Sequence, residues 1–194
     1  MRVVGVLLAA GRGERYGGDK LLAPLADGTP MGVAACRTLV AALPVTIAVV
    51  RPGDAALAAQ LRDAGAEAIE CADAALGMGR SLAAAVSRTR DADAWIVALA
   101  DMPWVRSTTI AALVAALDAG ASIAAPVHRR RRGNPVGFAA RWGGALCALR
   151  GDRGARDVVS AAGADLTTID VDDDGVIRDV DLPGDLGVQG DGDR

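Results

Sequence analysis

Lysine is almost missing from this sequence. Of 21 basic residues, 20 are arginine, and the exception is Lys20. Aromatic residues make up only 3%, so the core must be built from Ala, Val, Leu and Ile. Cysteine is scarce too: Cys36, Cys71 and Cys147 are odd in number, widely spaced and form no Cys-x-x-Cys pair. That excludes a disulfide framework and a cysteine zinc site, and leaves each thiol as a small core residue. No apolar run approaches the ~18 residues of a membrane span. No signal-peptide pattern opens the chain, which reads as cytoplasmic. Excess positive charge is absent as well: the net charge is −3 and the pI about 5.1, and no long basic stripe exists. Arg129–Arg132 is short and isolated. Nucleic-acid and membrane partners are therefore not expected.

What is present is an alternation. At 194 residues the chain is long enough for one domain with its own core, expected over 1–186, with a frayed tail over 187–194. The runs 3–8, 45–50, 94–99 and 122–126 are apolar throughout and read as strands buried on both faces. Helical patterns lie between them. Thr29-Pro30 opens one that runs to about Leu43, Asp54 opens 54–64, Gly79 or Arg80 opens one to about Thr89, and Ser107 caps 108–119. Strands alternating with helices predict βαβ units and a mostly parallel sheet. The segment 128–138 reads as a loop or hairpin lying over that sheet, followed by a helix at 154–162 and a strand at 166–171. Asp172-Asp173-Asp174-Gly175 reads as a solvated turn, since no metal-ligand spacing follows it. In such folds ligands sit at the carboxyl ends of the strands. That singles out the loop after the first strand, the Asp101 segment and the segment 77–81.

The first of these loops is glycine-rich and carries three cations, Arg12, Arg15 and Lys20, in nine positions. Glycines let backbone N–H groups converge on an anion, and cations add charge-assisted bonds. Triphosphate is the natural ligand. Two familiar phosphate loops fail their context tests. Gly13 and Gly18 have Walker spacing, but Asp19 intervenes before Lys20, and Leu21 stands where a magnesium-binding hydroxyl belongs. A dinucleotide fingerprint must open a helix at once, and Gly17-Gly18, Pro24 and Asp27-Gly28 forbid one. An NAD(P)-dependent oxidoreductase is disfavoured on that ground. Against arginine's planar fork, the one lysine is a compact, mobile charge.

Taken together, Leu8-Ala9-Ala10-Gly11, Arg15-Tyr16-Gly17 and Lys20 resemble the signature of nucleotidyltransferases that activate sugars, isoprenoid alcohols and molybdopterin. Later segments are similar to the molybdenum cofactor cytidylyltransferases, the MocA-like branch of the MobA-like NTP transferases. They are Gly77-Met78-Gly79-Arg80-Ser81-Leu82, Leu99-Ala100-Asp101-Met102-Pro103-Trp104, Arg132-Gly133-Asn134-Pro135-Val136-Gly137-Phe138, Gly151-Asp152-Arg153-Gly154-Ala155-Arg156 and Asp179-Val180-Asp181-Leu182-Pro183-Gly184-Asp185-Leu186. They occur in the family's order. Asn134 replaces a histidine, and Leu182 and Gly184 also depart from the pattern. The resemblance implies a Rossmann-like three-layer α/β/α sandwich.

It also implies a reaction: CMP passes from CTP to the terminal phosphate of molybdopterin, leaving pyrophosphate, with Mg²⁺ as cofactor. A molybdoenzyme or its chaperone is the implied partner. Asp101 becomes the first metal ligand and Asp181 the second, with Asp179 as its substitute. Lys20 would meet the α-phosphate or the acceptor phosphate, and Arg12 and Arg15 the β- and γ-phosphates. Leu8, Ala9, Ala10, Gly11 and Gly13 would pass along the nucleotide, Gly77, Gly79 and Ser81 would complete the substrate site, and Asp73 would touch base or ribose. Asn134 would hydrogen-bond the acceptor, or else serve only as a turn residue before Pro135. GTP as donor, a sugar phosphate as acceptor, and a non-catalytic cofactor carrier are the competing readings.

Overall fold

The computed structural model describes residues 1–11, 13, 16–152 and 154–187. Its strands are β1 (Val3–Leu8), β2 (Thr46–Val50), β3 (Glu67–Glu70), β4 (Ala94–Leu99), β5 (Ile123–His128), β6 (Arg131–Arg132), β7 (Val136–Ala139) and β8 (Leu166–Asp170). Its helices are α1 (Met31–Ala42), α2 (Ala55–Asp63), α3 (Met78–Arg88), α4 (Ser107–Asp118), α5 (Gly143–Cys147) and α6 (Arg156–Ala161). β3, β2, β1 and β4 are neighbours in that order and run parallel. β7 is antiparallel to both β4 and β5, and β8 runs parallel to β5 on its far edge. β6 pairs with the same edge of β5 as β7 does, further along. The result is the expected Rossmann-like α/β sandwich.

Alternation along each strand divides the core in two. Leu7, Ala48 and Ile96 face α1, α2 and α4, and meet Leu39, Leu61 and Leu113. Val4, Val6, Val49, Trp95 and Val97 face the other way, onto Leu82, Val86 and Leu146 of α3 and α5. Most of these side chains are completely buried, worth about 1.5–3 kcal/mol for each large aliphatic residue. Gly5 is dictated by close approach, since a Cβ there would lie 2.6 Å from the Thr46 hydroxyl beneath α1. Cys36 and Cys71 are core residues, and burial pushes the Cys36 thiol up to about 11, which suppresses thiolate chemistry.

Several expectations need correction. The segment 128–138 does not lie over the sheet: its second half enters the sheet as β7, between β4 and β5. β3 had no signal because it is an edge strand with exposed glutamates at both ends. α1 begins at Met31, with Pro30 rather than Thr29 in the cap position. Asp54 occupies a cap position but caps nothing, pairing instead with Arg51 at 3.0 Å. Ser107 does not cap α4. Instead Asp173 anchors the helix start: its carboxylate accepts the Arg106 N–H at 2.9 Å and the Thr109 hydroxyl at 2.6 Å. Asp173 is 2% exposed, so its turn is not simply solvated. α1 and α4 share a face although they carry the chain in opposite directions across the sheet. One of these two crossovers therefore departs from the usual right hand.

Candidate active site

From β1 the chain winds outward through β2 to β3, then returns to place β4 on the other side of β1. The carboxyl ends of β1 and β4 thus flank the point where the winding reverses, where open α/β sheets bind ligands. A cleft of about 460 Å³ opens there. That lies within the size range of small-molecule sites.

Two predicted residues, Lys20 and Asp101, line this cleft, and a third, Asp181, reaches the same lysine. The Lys20 ammonium lies 2.9 Å from Asp101 Oδ2 and 3.7 Å from Asp181 Oδ1. Asp101 follows β4, whose register against β1 continues through the Ala100 N–H donating to the Leu8 carbonyl. Lys20 opens the short 3-10 turn Lys20–Leu22, and its side chain is only 10% exposed. The preceding loop folds back on Gly13, whose carbonyl accepts the Tyr16 and Gly17 N–H groups. Gly13 has φ +60°, and a Cβ there would press within 3.1 Å of the Lys20 Cβ. Glycine is needed for both reasons.

Asp181 arrives from the far end of the chain. The Val180 N–H donates to the Asp101 carbonyl at 3.0 Å, docking the segment against β4's end. Asp185 then accepts the Leu182 N–H at 2.7 Å and the Asp181 N–H at 2.8 Å. These bonds, that to Leu182 foremost, hold the Asp185 carboxyl below its ordinary value of 3.8. A lowered value stabilises the turn above pH 3.8, and that stabilisation is lost as pH falls through the lower folded value. In an NMR titration, the Asp181 and Leu182 amide signals should therefore hold steady above pH 4 and move only below it. Movement centred near pH 5 would contradict this role for Asp185.

Leu8, Ala10, Gly11, Gly13, Gly77 and Ser81 line the same cleft. Ala9 is buried beneath it, 1% exposed. Gly79 packs away from the cleft. Its N–H donates to the Gly151 carbonyl at 2.9 Å, and a Cβ would meet Arg150 backbone at 3.0 Å. Gly77 has φ +114° and lies so near that loop that a Cβ would be 2.3 Å from the Gly151 carbonyl carbon. The Gly77–Ser81 and Gly151–Asp152 segments are thus one interlocked wall. Asp73 is an exposed neighbour of Arg80, 3.8 Å away. Asn134 stands apart from the cleft, beside Met102 and Thr38, and its N–H donates to the Val176 carbonyl. Arg12 and Arg15 lie outside the described residues. Sequence reasoning missed Arg51, Asp54 and Asp152 as cleft-lining groups. The position of Arg51 directly after β2 was the available signal.

Two carboxylates reaching one cationic group mark a point that attracts positive charge. Among the described residues no cluster of three or more His, Cys, Asp or Glu side chains could hold a metal. Two carboxylates converging on one point, with Asp101 facing the cleft, fit Mg²⁺, which commonly takes one or two protein carboxylates and fills its remaining positions from phosphates and water. Among the described residues no helix is long and apolar enough to cross a membrane.

Known proteins supply an independent comparison. No curated protein is significantly similar to the chain in sequence. Solved structures are similar along nearly its whole length. A homologue of Rv0371c from Mycobacterium sp. strain JC1 is 28% identical with a TM-score of 0.83, covering 96% of this chain and 93% of that one. Rv0371c from Mycobacterium tuberculosis H37Rv, in complex with manganese, is 25% identical with a TM-score of 0.79, covering 96% and 97%. Molybdopterin-guanine dinucleotide biosynthesis protein A from Archaeoglobus fulgidus is 19% identical with a TM-score of 0.66, covering 95% of each chain, and is similar in fold. The MobA-like NTP transferase domain profile matches residues 5–166, a span that takes in the lysine loop, the interlocked wall and Asp101. The chain belongs to the MobA-like NTP transferase family, whose members are nucleotidyltransferases.

Proposed function

We propose that this chain transfers CMP from CTP to the terminal phosphate of molybdopterin, forming molybdopterin cytosine dinucleotide and pyrophosphate. The observation that carries the reading is the meeting of Lys20, Asp101 and Asp181 at the switch-point cleft. An acceptor phosphate oxygen bonds to the α-phosphorus as the bond to the β-phosphate oxygen breaks. The acceptor is already an anion, so no strong general base is needed. The obstacle is repulsion between anions, and fixed charge overcomes it. Lys20 neutralises the α-phosphate or the approaching acceptor phosphate. Gly11 and Gly13 leave room for phosphate oxygens near the backbone. Asp101 and Asp181 would hold Mg²⁺, which when bound supplies neutralisation of phosphate charge. The product would pass to a molybdoenzyme or its chaperone in the cytoplasm.

The molybdopterin branch is supported by the Gly77–Ser81 and Asp101–Trp104 motifs, and CTP by Ala10. The Ala10 methyl stands in the cleft wall, 9% exposed. It narrows the space beside the nucleotide and favours the smaller pyrimidine. Ala10→Gly should lower the ratio of CTP to GTP turnover by about tenfold, the ~1.4 kcal/mol scale of a methylene-sized contact. An unchanged ratio would remove Ala10 from base selection. The reading as a whole is tested by supplying CTP with molybdopterin, and separately with sugar phosphates, and identifying the dinucleotide by mass. Product from molybdopterin alone supports it, and product only from a sugar phosphate assigns the chain to a sibling reaction.

A further inference from the structure

The segment 172–181 reaches the cleft from β8 and delivers Asp181 opposite Asp101. Part of its hold is apolar: Val176 and Val180 are completely buried. Such contacts are non-directional and do not set register by themselves. Directional contacts start at Asp173. One carboxylate oxygen accepts the Arg106 N–H and the Thr109 hydroxyl, at 2.9 and 2.6 Å. The other accepts the Gly175 N–H at 3.1 Å. Gly175 is thereby set against the backbone of Trp104, where a Cβ would be 2.3 Å from the carbonyl oxygen. Three residues on, the Arg178 guanidinium stacks 4.1 Å over the Trp104 ring. Two residues further, Val180 donates to the Asp101 carbonyl at 3.0 Å. From Asp173 to Val180 the segment therefore follows the 101–109 segment, with one further bond on its other side, from the Asn134 N–H to the Val176 carbonyl at 2.9 Å.

We infer that Asp173 is a positioning residue that sets the spacing between the Asp101 and Asp181 carboxylates. This rests on the reading of those two as metal ligands. Asp173 touches neither of them, nor Lys20. It acts by fixing the segment that carries Asp181 to the start of α4, which directly follows the Asp101 loop. A carboxylate suits the task because it accepts three hydrogen bonds from two segments at once, with the dipole of α4 in its favour. Buried without those donors it would be costly, so the contact is made in full or broken.

The test uses the full chain and the variants Asp173→Ala and, as the milder change, Thr109→Val. Hydrogen exchange at the Val180 amide reads the segment's docking, and Mn²⁺ titration followed by electron paramagnetic resonance reads the carboxylate pair. In Asp173→Ala, Val180 exchange should accelerate at least about tenfold while β1 and β4 amides stay protected. Mn²⁺ affinity should fall about tenfold, the usual scale for residues that orient a metal's ligands. Thr109→Val should move both readouts the same way by a smaller factor, and it carries the test if Asp173→Ala does not fold. Unchanged Val180 exchange in the folded variants overturns the inference. So does accelerated exchange with unchanged Mn²⁺ affinity, which would make Asp173 merely structural. A wild-type chain that binds no Mn²⁺ contradicts the metal reading instead, and with it the claim that Asp173 serves a metal pair.

Discussion

Asp101→Asn should lower turnover by about 10³-fold or more, roughly 4 kcal/mol of barrier, and leave the fold intact. The side chain is 29% exposed at a strand end, and its hydrogen bond is to the Lys20 ammonium rather than to core backbone. The amide keeps the shape and removes the charge. Two consequences follow. The carboxylate pair becomes a single carboxylate, which holds a divalent cation less tightly and fixes its position less well. Lys20 loses its 2.9 Å partner, so the cation that should meet phosphate is no longer held in place. Core strands β1 and β4 lose nothing, so the melting temperature should stay within a few degrees of wild type. Thermal melting beside pyrophosphate release checks both halves. Near-normal turnover in the folded variant would remove Asp101 from the chemistry.

Lys20→Arg should cost about 10²-fold in turnover although it conserves the charge. The lysine stem lies against Gly13, and the ammonium sits between two carboxylates in a slot that leaves it 10% exposed. A planar guanidinium is larger and favours bidentate pairing with one carboxylate. It would lock onto Asp101 rather than follow a phosphate. The chain uses arginine at its other 20 basic positions, so composition alone would favour arginine here. Steady-state kinetics with a thermal control decide the matter. An arginine variant with near-wild-type turnover would make the lone lysine an accident of composition.

Much of this architecture is legible in the residues. β1, β2 and β4 are continuous apolar runs because helices cover both faces of the sheet, and that burial leaves a local signal. Asp101 is legible because it ends such a run. What escaped is what depends on distant partners. β7 is four residues long, preceded by Gly133 and Pro135, and becomes a strand only because β4 and β5 present open edges. The anchor at the start of α4 comes from a residue 64 to 67 positions further along the chain, so Ser107 looked like the better candidate. Asp173 stands among acidic neighbours that look solvated, and its burial is a tertiary fact. The glycines of the Gly77–Gly79 segment suggested ligand contact, yet both pack against the 150–152 loop, and of the two it is Gly77 that also lines the cleft. Arg51 and Asp54 have no motif around them; the place of Arg51 directly after β2 is a weak signal, and the topology brings both to the cleft.

The most direct measurement is pyrophosphate release from CTP, GTP, ATP and UTP, each with Mg²⁺, with and without molybdopterin. Release should occur with CTP, require molybdopterin, and disappear on chelation of the metal. Absence of pyrophosphate with every nucleotide, under conditions where the chain is folded and molybdopterin intact, would contradict nucleotidyl transfer at the Lys20–Asp101–Asp181 centre.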